Sequence, residues 1–110
     1  MIAVIFEVIP TEPGKDEYLS LAAELKEYLE TIPGYISVER FQSLVDERKI
    51  LSLSFWESEE SVTQWRNLEK HRIAQAKGKK TLFENYRIRV ATVIRDYTNE
   101  QRGQAPEDSI

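Results

Sequence analysis

Apolar residues recur along this chain with two alternating periods, and the switches between them predict six elements. β-branched and aromatic residues fill 2–9, which reads as a strand. Residues 10–14 carry Pro10, Pro13 and Gly14 and punctuate the pattern, with Pro13 just inside a helix start and Asp16 and Glu17 suited to its dipole. A helical stripe follows at Tyr18, Leu21, Ala22, Leu25, Leu29 and Ile32, and Pro33-Gly34 closes it. Residues 35–44 form a second strand, 45–48 a turn and 49–56 a third strand. Ser58 caps a second helix whose first turn is acidic, with a stripe of Val62, Trp65, Leu68 or Glu69, Arg72 and Ile73, ending or bending at Gly78. Residues 84–97 read as a long last strand.

The order βαββαβ predicts an α+β ferredoxin-like plait: a four-stranded antiparallel sheet with both helices on one face. The domain spans 1–97. Residues 98–110 are polar and lack an apolar period, which predicts a flexible C-terminal tail. Strand alternation divides the sheet into two faces. One would carry Ile2, Val4, Phe6, Val8, Ile36, Val38, Leu51, Leu53, Phe55, Ile88, Val90, Thr92 and Ile94, an apolar layer for the helices to cover. The other would carry Ala3, Ile5, Glu7, Ile9, Ser37, Glu39, Phe41, Ser52, Ser54, Trp56, Arg87, Arg89, Ala91, Val93 and Arg95. That second face is half apolar and half charged, the character of an interface or a lined cavity, and it predicts a homodimer stacked sheet to sheet.

Composition narrows the chemistry. A net charge of -4 over 110 residues argues against nucleic acid, whose phosphates require a basic surface. The absence of cysteine removes disulfides, thiol nucleophiles and cysteine-based metal sites, and with one histidine leaves no basis for a transition-metal cage. No apolar run approaches the ~20 residues of a membrane span, and the first residues lack a basic leader, so a cytoplasmic protein without membrane partners is the expectation.

Both tryptophans and the single histidine fall within 55–71. Trp suits a flat aromatic ligand and His a proton transfer near neutrality. Trp65 reads either as helix core or as a site residue. Trp56 reads as cavity wall or dimer seam. His71 lies six residues beyond Trp65, about 600° around the helix, so the two need not share a pocket. Glu7, Glu39, Arg87 and Arg89 suit an ion-pair network across strands, or an arginine steadying a ligand anion. Phe41 and Tyr86 are wall or hydroxyl candidates, as is Tyr35. The run 77–80, Lys-Gly-Lys-Lys, reads as a solvated loop.

Pro33-Gly34-Tyr35 after the first helix, the passage 55–61 (Phe-Trp-Glu-Ser-Glu-Glu-Ser), Trp65 one turn on, the run from Trp65 to Gly78 and the closing Tyr86-Arg87-Ile88-Arg89-Val90 resemble the antibiotic biosynthesis monooxygenase (ABM) superfamily of dimeric α+β barrels. The likeness covers residues 2–97. It implies a cofactor-independent monooxygenase that oxidises a small aromatic, such as an anthrone, quinol or phenol, with molecular oxygen. Trp65, His71 and Arg87 are then the catalytic candidates. Glu7, Phe41, Trp56, Tyr86 and Arg89 become substrate-binding candidates, with Glu7 or His71 as the base. A haem-degrading branch of the superfamily carries an Asn on the first strand and a haem-ligating His about ten residues after the helical Trp. Here Glu7 and Gln75 stand at the corresponding places, so haem is disfavoured. The alternatives are a binding or stress-related dimer without turnover, and a haem protein with His71 as an atypical ligand.

Overall fold

The computed structural model describes the backbone of residues 1–75 and 82–109 and the side chains of 1–69 and 82–109; the side chain of His71, Gly78 and the run 77–80 lie outside the described residues. Six elements follow in order: β1 (Ile2–Pro10), α1 (Lys15–Leu29), β2 (Tyr35–Gln42), β3 (Ile50–Trp56), α2 (Glu59–Gln75) and β4 (Phe83–Thr92). The sheet runs β2-β3-β1-β4 and every neighbouring pair is antiparallel. This is the expected α+β ferredoxin-like plait. No helix among the described residues is long and apolar enough to cross a membrane.

α1 buries Tyr18, Ala22, Leu25 and Leu29, spaced three and four apart as one helical face requires. α2 starts where Ser58 Oγ accepts the Ser61 N–H at 3.4 Å, satisfying one of the free donors of the first turn. The last strand is shorter than its sequence predicts. β1 begins at Ile2, opposite Thr92, so residues beyond Thr92 have no partner strand. Val93 still bonds Met1 at 3.0 Å, but Ile94 and Arg95 lie past the sheet. The segment from Asp96 folds back on itself, with the Asp96 N–H bonded to Gln104 Oε1 at 2.7 Å and Ser109 Oγ bonded to the Tyr97 hydroxyl at 2.9 Å.

The register of β3 corrects the expected faces. Ile2, Val4, Phe6 and Val8 stand opposite Trp56, Ser54, Ser52 and Ile50. Side chains directly opposite share a face, so Trp56, Ser54 and Ser52 point toward the helices. Leu51, Leu53 and Phe55 point away from them. The expectation of the reverse rested on β3 alone, where the leucines and phenylalanine form the more apolar set. On β2, Val38 and Arg40 pair with Ser54 and Ser52 and share their face. An irregularity between Tyr35 and Ser37 displaces Ile36 from the predicted core, and it is exposed.

Trp56 is therefore core and not seam. It is 0 % exposed, and full burial of such a ring contributes about 3 kcal/mol. Its indole N–H donates to Ser54 Oγ at 2.9 Å. Its ring stacks on Trp65, with centroids 6.2 Å apart, and meets Tyr35 edge-on at 5.5 Å. Leu29, Ile32 and Val62 complete the cluster.

The Pro33-Gly34-Tyr35 turn ties this cluster to the start of α2. Ser61 Oγ donates to the Pro33 carbonyl at 2.6 Å, and the Glu57 N–H to the Gly34 carbonyl at 2.8 Å. Gly34 has φ 91°, and a Cβ there would collide with the Ser61 hydroxyl. Gly34→Ala is expected to cost about 2 kcal/mol of stability in urea denaturation; an unchanged midpoint and slope would contradict this account of the turn.

Candidate active site

The sheet offers the helices an unusually small-residue floor. One row crosses it as Arg40, Ser52, Phe6 and Ile88, and the next as Val38, Ser54, Val4 and Val90. Serines at the centre of both rows leave a cavity of about 110 Å³ beneath the helices, several times what one water needs. α1 closes it with Tyr18, Ala22, Leu25 and Leu29, and α2 with Val62, Trp65 and Glu69. The last three are spaced three and four apart, so one face of α2 delivers them together. Phe6, Tyr18, Phe83 and Tyr86 form an aromatic cluster at one end, with ring centroids 5.4 to 6.0 Å apart.

The walls are mainly apolar; besides Ser52 and Ser54 in the floor and the exposed Arg66 on α2, the polar groups that line them are Tyr18 from α1, Arg40 from β2 and Glu69 from α2. Burial pushes the Glu69 carboxyl above its ordinary value, and the Arg40 charge partly opposes this. Burial likewise raises the Tyr18 hydroxyl, against a hydrogen bond and the positive charge from Arg40 and with a smaller push from Glu69. Arg40 Nε is buried with no hydrogen-bond partner among the described residues. An apolar enclosure with a few convergent polar groups, one of them a carboxyl shifted toward neutrality, has the make-up of a binding or proton-transfer site.

The predicted site residues divide between the two faces. Trp65 lines the cavity, and Trp56 supports it from behind. Tyr86 stands opposite Val8 at the cavity's aromatic end and is more than half exposed. Glu7, Arg87, Arg89 and Phe41 lie on the far face of the sheet. There Arg89 Nη1 meets Glu7 Oε2 at 2.9 Å, as one ion pair of the predicted network. Glu7, Tyr86 and Arg87 also share an open polar depression of about 240 Å³ with Lys49 and Asn85. His71 belongs to α2, but its side chain is outside the described residues.

Sequence reasoning missed Arg40 and took Glu69 only as an alternative position in a stripe. Both had a signal. Arg40 continues the alternation from Val38, and Glu69 lies one helical turn beyond Trp65. Among the described residues no three metal-ligating side chains cluster, and the cavity lining holds no imidazole or sulfur donor.

Comparison with known proteins gives this arrangement a family. The antibiotic biosynthesis monooxygenase model matches residues 1–77. Over 93 residues the chain is 43% identical to a jasmonate monooxygenase of Pyricularia oryzae, a match covering 84% of this chain and 43% of that protein. It is also 32% identical to the uncharacterized protein YqjZ of Bacillus subtilis, over 84% of this chain and 79% of that one. The chain thus spans less than half the length of the first relative. The fold is similar to that of Rv0793 from Mycobacterium tuberculosis, with TM-score 0.74, 15% identity and coverage of 88% and 98% of the two chains.

The raised Glu69 carboxyl has a consequence for stability. Between its ordinary value of 4.5 and its value in the fold, the folded chain binds more protons than the unfolded one. Stability therefore falls as pH rises through that window. Glu69→Gln is expected to raise Tm above that of the parent at about pH 8, with the gap closing by about pH 4, where the carboxyl is protonated in both states. A gap independent of pH contradicts the burial argument.

Proposed function

The chain belongs to the antibiotic biosynthesis monooxygenase family, and from that premise we propose that it is a cofactor-independent monooxygenase of a small, electron-rich aromatic such as an anthrone, quinol or phenol. The observation that carries this reading is the cavity between sheet and helices, apolar in its walls, with Trp65 facing it and Arg40 and Glu69 converging on it. The relative named as a jasmonate monooxygenase supports oxygenation as the reaction type.

For an anthrone the reaction balances without a further reductant. A methylene carbon gives up two hydrogens and gains one atom of O2 as a carbonyl; the other oxygen atom leaves as water. Loss of a proton makes the ring an electron-rich anion that passes electrons to oxygen itself. The protein's share is to bind the ring, remove the proton and hold the anion where low dielectric strengthens each contact. Trp65 offers a face for stacking, and its own stacking on buried Trp56 fixes its position.

The proposal includes a homodimer joined through the outer sheet face. Ile5, Ile9, Leu51, Leu53 and Phe55 lie on that face beside Phe41, which is 43 % exposed. An apolar surface of this extent rimmed by Glu39 and Arg87 has the composition of an interface. Leu53, opposite Ile5 and Glu39, is central to it.

Oxygen uptake measured with a panel of anthrones and hydroquinones tests the activity. The parent protein is expected to consume oxygen with at least one of them, and Trp65→Phe to lower kcat/KM about tenfold, ~1.4 kcal/mol of transition-state stabilisation. Ligand-induced thermal stabilisation without oxygen uptake across the panel would instead make this a binding protein. Light scattering tests the assembly: the parent is expected at twice the mass of one chain and Leu53→Glu at the mass of one. A monomeric parent at micromolar concentration ends the dimer.

A further inference from the structure

Arg40 and Glu69 face the same cavity from opposite layers, one from the sheet and one from α2. They are close enough for the Arg40 charge to act on Glu69, yet form no salt bridge. Arg40 also keeps a buried Nε–H without an acceptor among the described residues. A buried donor left unpaired carries its full desolvation cost, and a functional role is one reason for a fold to keep it. A half-buried carboxylate opposite a half-buried guanidinium would gain by closing on it. The cavity that both line instead suits a ligand group that offers a proton to one and an oxygen to the other.

We infer that Arg40 and Glu69 form a deprotonating clamp for an ionisable hydroxyl, as in a phenol, hydroquinone or enol: Glu69 takes the proton and Arg40 hydrogen-bonds the oxygen anion. The inference rests on the reading of this cavity as the substrate site and assigns the proton acceptor and the anion-holding group within it. The O–H bond breaks, its electron pair stays on the ligand oxygen, and the proton moves to a Glu69 carboxylate oxygen. In a keto tautomer the broken bond is the adjacent C–H, with the electron pair delocalised onto the same oxygen. Neither form of the step needs an oxidant. Burial makes Glu69 a stronger base than a solvated carboxylate, which brings it nearer the working pH of a proton acceptor. Tyr18, beside Arg40, is a positioning residue. The other charged side chain lining the cavity is Arg66 on α2, which is exposed.

Two measurements under argon test the clamp separately from oxygenation. The first follows 4-nitrophenol by its visible spectrum. The parent is expected to bind the phenolate at least tenfold more tightly than the phenol. Arg40→Met should abolish that preference and Arg40→Lys, which keeps charge but lacks Nε, should weaken it. Glu69→Gln should retain it, because the anion no longer faces a carboxylate. The second measures deuterium exchange into the acidic methylene of anthrone. Glu69→Gln is expected to slow the catalysed exchange at least tenfold, with partial recovery in Glu69→Asp. A parent without phenolate preference, an Arg40→Lys variant equal to the parent, or an exchange rate unaffected by Glu69→Gln overturns the clamp. Exchange without oxygen uptake leaves the clamp standing and removes the monooxygenase; uptake undiminished in Glu69→Gln does the reverse.

Discussion

The pairing of β3 with β1, Ile2 against Trp56 through Val8 against Ile50, is the constraint on which the site depends. A strand's side chains alternate, so a shift of one residue would exchange its two faces completely. In the observed register two serines and a tryptophan meet the helices. The serines leave space, and the tryptophan fills the end of the core and fixes Trp65 by stacking. The other register would bring Leu51, Leu53 and Phe55 under the helices, fill the cavity and leave Arg40 facing bulky side chains. The same choice places those three large residues on the outer face. One register therefore both opens a cavity on one side and creates an apolar surface on the other.

The cavity works against the stability of the fold. Holding a half-buried arginine and a half-buried glutamate against an apolar cavity without an ion pair costs more than filling the space with hydrocarbon. Such an arrangement is expected where a site needs charges held ready in low dielectric, because groups already oriented need not reorganise when charge develops on a ligand. Regular elements hold them: Arg40 sits in a strand paired through Ser52, and Glu69 follows Trp65 on one face of α2. The Gly34 turn, locked to Ser61, fixes where that helix begins.

The order and type of all six elements were legible in the sequence because each carries a clear period. The α1 stripe, the Ser58 cap and the Pro33-Gly34 turn stand close to where pattern and capping chemistry set them. The faces of β3 were not legible. Leu-Ser-Leu-Ser-Phe-Trp offers two alternating sets, and taking the more apolar one as core fails when the opposite face is also apolar. Arg40 and Glu69 were hidden for a related reason: charged residues default to solvent, and only pairing partners and helix phase show that these two turn inward. Trp65 could be singled out early because the family pattern marks its place; that the two charges beside it share one cavity emerged only from β2 and α2 meeting in space.

The most direct measurement of this account is a crystal structure of the protein with hydroquinone bound. The account predicts the ring against Trp65, between sheet and helices, with one oxygen within hydrogen-bond distance of both Arg40 and Glu69. A ring seated on the outer face beside Glu7 and Arg87, with the cavity beneath the helices left without ligand, would contradict it.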